Sequence, residues 1–311
     1  MLAEKLKKGD IIGVVSPCNL VDDDDMEIIR NSMKLFKEKG YEVKFAENCF
    51  KNTTGYGATA KEKAEDINNM YANKDIKAIL TLKGGYNSNT VYEYLDLELI
   101  KKNNKIICGY SDATSYINYI VEKTGNIGFI GPNFKTVTSS ETTYCYEQLM
   151  KHICDTEKYL LTNNDECYLI ERENDNIKYT NEKSGITAEG QLIGGNLSLI
   201  NELSKELNFE NKILFLEDFA FEAKPQTVSN YFYNLKQQGV FNKINGLWLG
   251  NYEAEIFIEK ILLDTIKDLD INFPIIKSNN FGHTERIMTI PLGIKARIED
   301  NSISIIEDYL R

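Results

Sequence analysis

Histidine is nearly missing from this chain. There are only two, His152 and His283, and neither has a spaced partner of the kind that zinc sites use. The six cysteines, at positions 18, 49, 108, 145, 154 and 167, form no C-x-x-C pair, and several lie in apolar segments. That usage fits reduced thiols in a cytoplasm better than a disulfide framework. No apolar run approaches the roughly 18 residues of a membrane span. The first ten residues, Met-Leu-Ala-Glu-Lys-Leu-Lys-Lys-Gly-Asp, lack an apolar core segment and predict no signal peptide. Positive charge is in deficit, 36 Lys and Arg against 47 Asp and Glu, for a net charge of -11. A nucleic-acid partner needs the opposite balance. The G-x-G-x-x-G fingerprint is absent, and no P-loop lysine follows the glycine pairs. Neither an internal repeat nor a low-complexity segment is present.

What remains is a chain of 311 residues with 42% hydrophobic and 11% aromatic content, enough for two domains or one large α/β domain. Ile11–Pro17 is a continuous apolar run ended by Ser-Pro, hence a buried parallel-type strand. Asp22–Asp25 opens a helix whose dipole suits acidic residues, so this cluster reads as a cap and not a metal site. Tyr41–Ala46 is a second strand, and Lys61–Ala72 a charged helix. The strand Ile76–Leu82 runs into Lys83-Gly84-Gly85-Tyr86-Asn87-Ser88-Asn89, and a helix is predicted over Thr90–Lys101. Another strand ends at Cys108, a helix begins near Ala113, and an apolar stretch covers Gly128–Phe134. This alternation predicts an α/β layer with a mostly parallel sheet, whose site lies beyond the carboxyl ends of its strands. Residues 1–160 form the expected first domain. Over 161–184 the apolar periodicity is lost, which reads as a connector or flap. A second domain is expected over 185–311.

Ser111 sits where a buried strand turns into a helix, in Gly109-Tyr110-Ser111-Asp112-Ala113. Such a turn exposes a hydroxyl in front of helix N–H groups, as in the G-x-S-x-G elbow, although Ala113 replaces the second glycine. The plainer reading makes Ser111 and Asp112 helix caps. Gly84-Gly85 ends a strand, where glycines let backbone N–H groups approach a ligand; with the N–H of Asp112 they would form an oxyanion hole. A simple turn or a phosphate cradle is the alternative. Glu217 ends the apolar strand that begins at Ile213, where a solvated edge carboxylate is equally common, and Asp218 faces the other side. His283 lies among turn residues, whereas His152 lies in an amphipathic helix and reads as ordinary packing. A serine nucleophile needs a base and an orienting group, and His283 with Glu217 supplies them.

Six segments in order then resemble the LD-carboxypeptidase family of serine peptidases. They are Gly9–Pro17, Gly84-Gly85-Tyr86, Gly109-Tyr110-Ser111-Asp112, Gly194–Ser198, Leu214–Asp218 and Phe281-Gly282-His283. The resemblance implies Ser111 as nucleophile, His283 as base, Glu217 as its partner, and the N–H groups of Gly85 and Asp112 as oxyanion hole. It implies a flavodoxin-like first domain, a smaller C-terminal α/β domain and a catalytic site in the cleft between them. It also implies a homodimer without metal or cofactor. Lys83-Gly84-Gly85-Tyr86-Asn87-Ser88-Asn89, Gly131–Phe134 and Gly282-His283-Thr284 are similar to the microcin C self-immunity branch. That branch cuts an amino acid from a modified nucleotide, whereas the murein branch trims tetrapeptides. Tyr86, Asn87, Lys83 and Arg286 are the expected substrate contacts; on the murein reading the last two would form a basic clamp for the free carboxylate at the scissile residue. The branch's purine-stacking tryptophan has no counterpart here, because Trp248 falls inside a core strand. Tyr168, Tyr179 and Tyr159 are the alternatives for that stack.

Overall fold

A computed structural model of the chain describes residues 2–138, 143–154, 160–162, 167–173, 176–180, 185–219, 221, 223–252 and 258–311. Tyr159 lies outside them. The first strands are β1 (Ile11–Val15), β2 (Glu42–Phe45), β3 (Ile76–Thr81), β4 (Ile106–Gly109) and β5 (Gly128–Ile130). Next come β6 (Leu160–Thr162), β7 (Cys167–Glu173), β8 (Asn176–Thr180), β9 (Thr187–Asn196), β10 (Lys212–Glu217), β11 (Gly246–Asn251) and β12 (Ile275–Gly282). The chain closes with β13 (Ile290–Leu292), β14 (Lys295–Glu299) and β15 (Ser302–Ile305). The helices are α1 (Asp23–Glu38), α2 (Ala60–Ala72), α3 (Leu97–Lys102), α4 (Ala113–Thr124), α5 (Tyr144–Cys154), α6 (Leu197–Leu203), α7 (Pro225–Gln237) and α8 (Ile258–Ile266).

One compact unit comprises Met1–Thr156, Glu285–Gly293 and Asp308–Arg311. Its sheet runs β2-β1-β3-β4-β5-β13, and every pair is parallel except β5 with β13. The first five strands therefore have the flavodoxin-like order, with its switch point between β1 and β3. Ile12, Val14, Ile79, Leu80, Ile107 and Phe129 are fully buried in this sheet, as a two-sided layer requires. The Asp22 side chain accepts from the Asp25 N–H at 3.1 Å and the Asp25 carboxylate accepts from the Asp22 N–H at 3.2 Å, a reciprocal box that starts α1. The helix expected over Thr90–Lys101 is divided into a 3-10 segment, Ser88–Tyr94, and α3. Asp96 divides them because its carboxylate caps the Leu99 N–H at 2.9 Å and so starts a new helix.

The other unit comprises Glu157–Thr284 and Ile294–Glu307. Its sheet runs β6-β15-β14-β9-β10-β11-β12-β7-β8. The strands β9 to β12 pair in parallel, and antiparallel strands extend both edges. Within 161–184, read as a connector, the structure has β7 and β8 as an edge hairpin. The strand β13, expected with the second domain, pairs with β5 in the first.

Candidate active site

The sequence from β4 into α4 places Ser111 on a sharp turn. Gly109 ends β4, α4 begins at Ala113, and Ser111 between them has φ +62°. A left-handed backbone costs a non-glycine residue roughly 1–3 kcal/mol and recurs at sites where geometry must be forced. A cap does not require it, since capping residues sit in the extended region. Asn133, on the segment after β5, brackets the preceding peptide. Its Oδ1 accepts from the Tyr110 N–H at 3.1 Å, and its Nδ2 donates to the Tyr110 carbonyl at 3.5 Å.

Gly84 and Gly85 lie against this turn. A Cβ on Gly84 would stand 3.1 Å from Ser111 Oγ, so the glycine backbone faces the hydroxyl directly. Gly85 has φ +140°, and a Cβ there would come within 2.3 Å of Asn19 Cβ. Only glycine fits. Ser88 ties this loop to the turn: its N–H donates to the Asp112 carboxylate at 3.0 Å, and its hydroxyl donates to the Asp112 carbonyl at 2.6 Å. Burial pushes the Asp112 carboxyl above the usual range, against hydrogen bonds from Cys18 and Ser88 and the charge of Lys63. Lys63, itself buried, donates to the Cys18 carbonyl at 3.0 Å, and burial lowers its ammonium pKa.

In front of Ser111 is a cavity of about 310 Å³ bordered by Asn19, Lys83, Gly85, Asn133 and Lys135. It lies at the carboxyl ends of β1, β3 and β4, where open parallel sheets bind ligands. Lys83 and Lys135 both donate to the buried carboxylate of Asp25, and Lys83 also reaches Asp22 at 3.5 Å. Burial raises the Asp25 pKa, but the two lysines and the Asp22 N–H outweigh it and hold the carboxyl below its usual value. Tyr86 is 62% exposed on the same loop, and Asn87, also exposed, has φ +74°. Arg286 belongs to this unit as well, with its guanidinium 4.5 Å from the centre of the Tyr144 ring.

Glu217 and His283 meet in the other unit. Glu217 ends β10 and is 2% exposed; His283 follows β12. Its Nδ1 lies 2.6 Å from Glu217 Oε2. Gly282 makes the approach workable, because with φ +123° a Cβ would lie 2.5 Å from the Asn251 carbonyl and 3.3 Å from Glu217 Cβ. The Phe219 ring lies 5.3 Å from the imidazole. Asp218 is turned elsewhere: its carboxylate accepts from Asn196 Nδ2 at 2.9 Å and from the Ser198 N–H at 3.2 Å, at the start of α6. Tyr168 and Tyr179, on β7 and β8, are exposed and meet edge to face at 6.4 Å. Trp248 is fully buried, with its indole N–H donating to Ser278 Oγ at 2.8 Å.

Sequence reading brought Ser111, Gly85, Asp112 and Lys83 to one place, and Glu217 to His283. It placed Asn133 and Ser88 within motifs but gave them no role, read Asp25 only as part of a helix cap, and missed Lys135 and Phe219. Asn133 had the clearest signal, as an asparagine after Gly-Pro at a strand end.

Comparison with known proteins shows the family to which the chain is similar over its length. Residues 12–131 match the LD-carboxypeptidase N-terminal domain and residues 189–298 the C-terminal domain. The chain is 32% identical to the putative carboxypeptidase YocD of Bacillus subtilis (strain 168), over 96% of both proteins. It is 28% identical to the probable murein peptide carboxypeptidase of the same organism, over 94% of this chain and 89% of the relative. The microcin C7 self-immunity protein MccF of Escherichia coli is also 28% identical, over 100% of this chain and 97% of the relative. The structure of MccF in complex with aspartyl sulfamoyl adenosine matches with TM-score 0.86 and 28% identity, covering 100% of both chains.

Proposed function

Because the chain belongs to the LD-carboxypeptidase family of serine peptidases, we propose that it hydrolyses the amide-type bond between an amino acid and a modified nucleotide through Ser111, His283 and Glu217. The observation that carries the triad is the 2.6 Å contact between His283 and the buried Glu217, in a chain whose serine is held left-handed on its elbow. Glu217 accepts a hydrogen bond from Nδ1–H, which keeps the proton on Nδ1 and leaves Nε2 free to act as the base. His283 removes the Ser111 proton as the hydroxyl oxygen attacks the acyl carbonyl. The N–H groups of Gly85 and Asp112 stabilise the oxyanion. His283 returns its proton to the leaving nitrogen, and water then repeats the sequence on the acyl-enzyme.

The nucleotide reading rests on the Asn-Ser-Asn loop and on the likeness to MccF bound to an aminoacyl-nucleoside. Tyr168 and Tyr179 supply exposed rings for a base to stack on, in place of a tryptophan. Substrate contacts at Tyr86, Asn87, Lys83 and Arg286, a homodimer and a cytoplasmic setting belong to the same proposal. Among the described residues no helix is long and apolar enough to cross a membrane.

The test is a paired assay of the purified protein and its Ser111→Ala variant on aspartyl sulfamoyl-adenosine and on a murein tetrapeptide ending in D-Ala. Cleavage of the nucleoside conjugate, lost in Ser111→Ala, is the expected result. Release of D-Ala alone would overturn the substrate assignment and leave a murein carboxypeptidase.

A further inference from the structure

Two lysines border the cavity at Ser111, and one buried carboxylate serves both. Asp25 is 1% exposed, and its two oxygens are divided between Lys83 on the loop after β3 and Lys135 on the segment after β5. Asp22 offsets Lys83 only in part, since its side chain is 59% exposed and its oxygen lies 3.5 Å away. An ammonium carries three donors. Lys135 uses one on Asp25, and Lys83 uses one each on Asp25 and Asp22, among the described residues. Among the described residues, donors are therefore left over on both lysines, beside a cavity that also contains Ser111.

From this we infer that Lys83 and Lys135 form an anion subsite next to the nucleophile, with Asp25 as the buried counter-ion that holds both ammoniums in place. The inference rests on the hydrolase reading above and adds Lys135 and Asp25 to it. A site of this kind selects substrates with a negative group close to the scissile carbonyl. That group is the carboxylate of a peptide's terminal residue or the acidic linkage of an acyl sulfamate or phosphoramidate. Partial burial makes it strong: the side chains of Lys83 and Lys135 are 15% and 26% exposed, so bulk water screens a bound anion only weakly.

The experiment compares kcat/KM on matched substrates in wild type and Lys135→Gln. One arm uses a D-Ala-terminated peptide as its free acid and as its C-terminal amide. The other uses aspartyl sulfamoyl-adenosine and the aspartamide of 5′-amino-5′-deoxyadenosine, which lacks the acidic linkage. Wild type should prefer the anionic member of the pair that it cleaves, and Lys135→Gln should reduce that preference about tenfold, mainly through KM. The arm that responds identifies the source of the anion. Equal turnover of both members by wild type, or an unchanged preference in Lys135→Gln, overturns the inference. Labelling of Ser111 by a neutral fluorophosphonate, performed in parallel, keeps the two readings distinguishable. Labelling without anion preference removes the subsite alone, whereas no labelling removes the serine mechanism and the subsite with it.

Discussion

Ser88 and Asp112 hold each other twice, backbone N–H to carboxylate at 3.0 Å and hydroxyl to carbonyl at 2.6 Å. One residue lies on the glycine loop and the other on the serine turn, so the pair sets the spacing between the two proposed oxyanion donors. Ser88→Ala is expected to lower kcat by roughly 10- to 100-fold with little change in KM, because a misplaced donor acts on the transition state more than on the substrate. Steady-state kinetics decides it; an unchanged kcat in a folded variant would remove Ser88 from any positioning role.

Loss of either reacting group should be far more severe. Ser111→Ala and His283→Ala are each expected to reduce kcat by about three orders of magnitude or more while the fold persists. Circular dichroism reports the fold and turnover the chemistry. A folded Ser111→Ala protein with normal turnover would refute the mechanism.

Gly282→Ala tests the backbone that presents His283, the proposed base. A methyl group would meet the Asn251 carbonyl at 2.5 Å in a conformation that alanine avoids. The cost is roughly 1–3 kcal/mol of stability. Because His283 is the next residue, kcat should fall as well. A denaturation series alongside kinetics separates the two effects.

His152 supplies a pH dependence unconnected with catalysis. Burial, aided by the charge of Lys151, pushes its pKa down to about 3 from the ordinary 6.5. It lies in α5 with Nδ1 3.2 Å from the Tyr309 hydroxyl. Between those two values the unfolded chain binds a proton that the folded one refuses, so folding loses stability as pH falls below 6.5. The slope is at most ~1.4 kcal/mol per pH unit, and it vanishes again below the folded pKa. His152→Gln should remove this component. Urea midpoints of wild type and variant should therefore differ by a constant amount above pH 7, and from pH 6 to pH 4 the wild-type midpoint should fall steadily relative to the variant's.

The alternation of apolar runs with amphipathic segments made the first sheet readable, because parallel strands buried on both faces leave a continuous signal. The elbow was readable for a similar reason: a strand and a helix so close together constrain the residue between them. The edge strands of the second sheet were not. β7 and β8 have exposed polar positions, such as Lys178 and Tyr179, that local pattern cannot tell from a loop. Their pairing is with each other and with β12, far along the chain. Lys83 was legible as a cation near the site, but its tie to Asp25 was not, since 58 residues separate the two. Asp25 itself looked like one more acidic residue at a helix start; its second function depends on two loops that only the folded sheet brings to it.

The chain passes from one compact unit to the other at 156/157, 284/285, 293/294 and 307/308. No single crossover in the gene can therefore exchange one unit for that of a relative. A transplant limited to the second unit would need four junctions, one of them only one residue past His283. A chimera made with one junction at the midpoint would give the first sheet a foreign β13. New substrate preferences in such a lineage are thus expected to arise by substitution within loops that stay in place, and laboratory recombination libraries should be cut at these four points together.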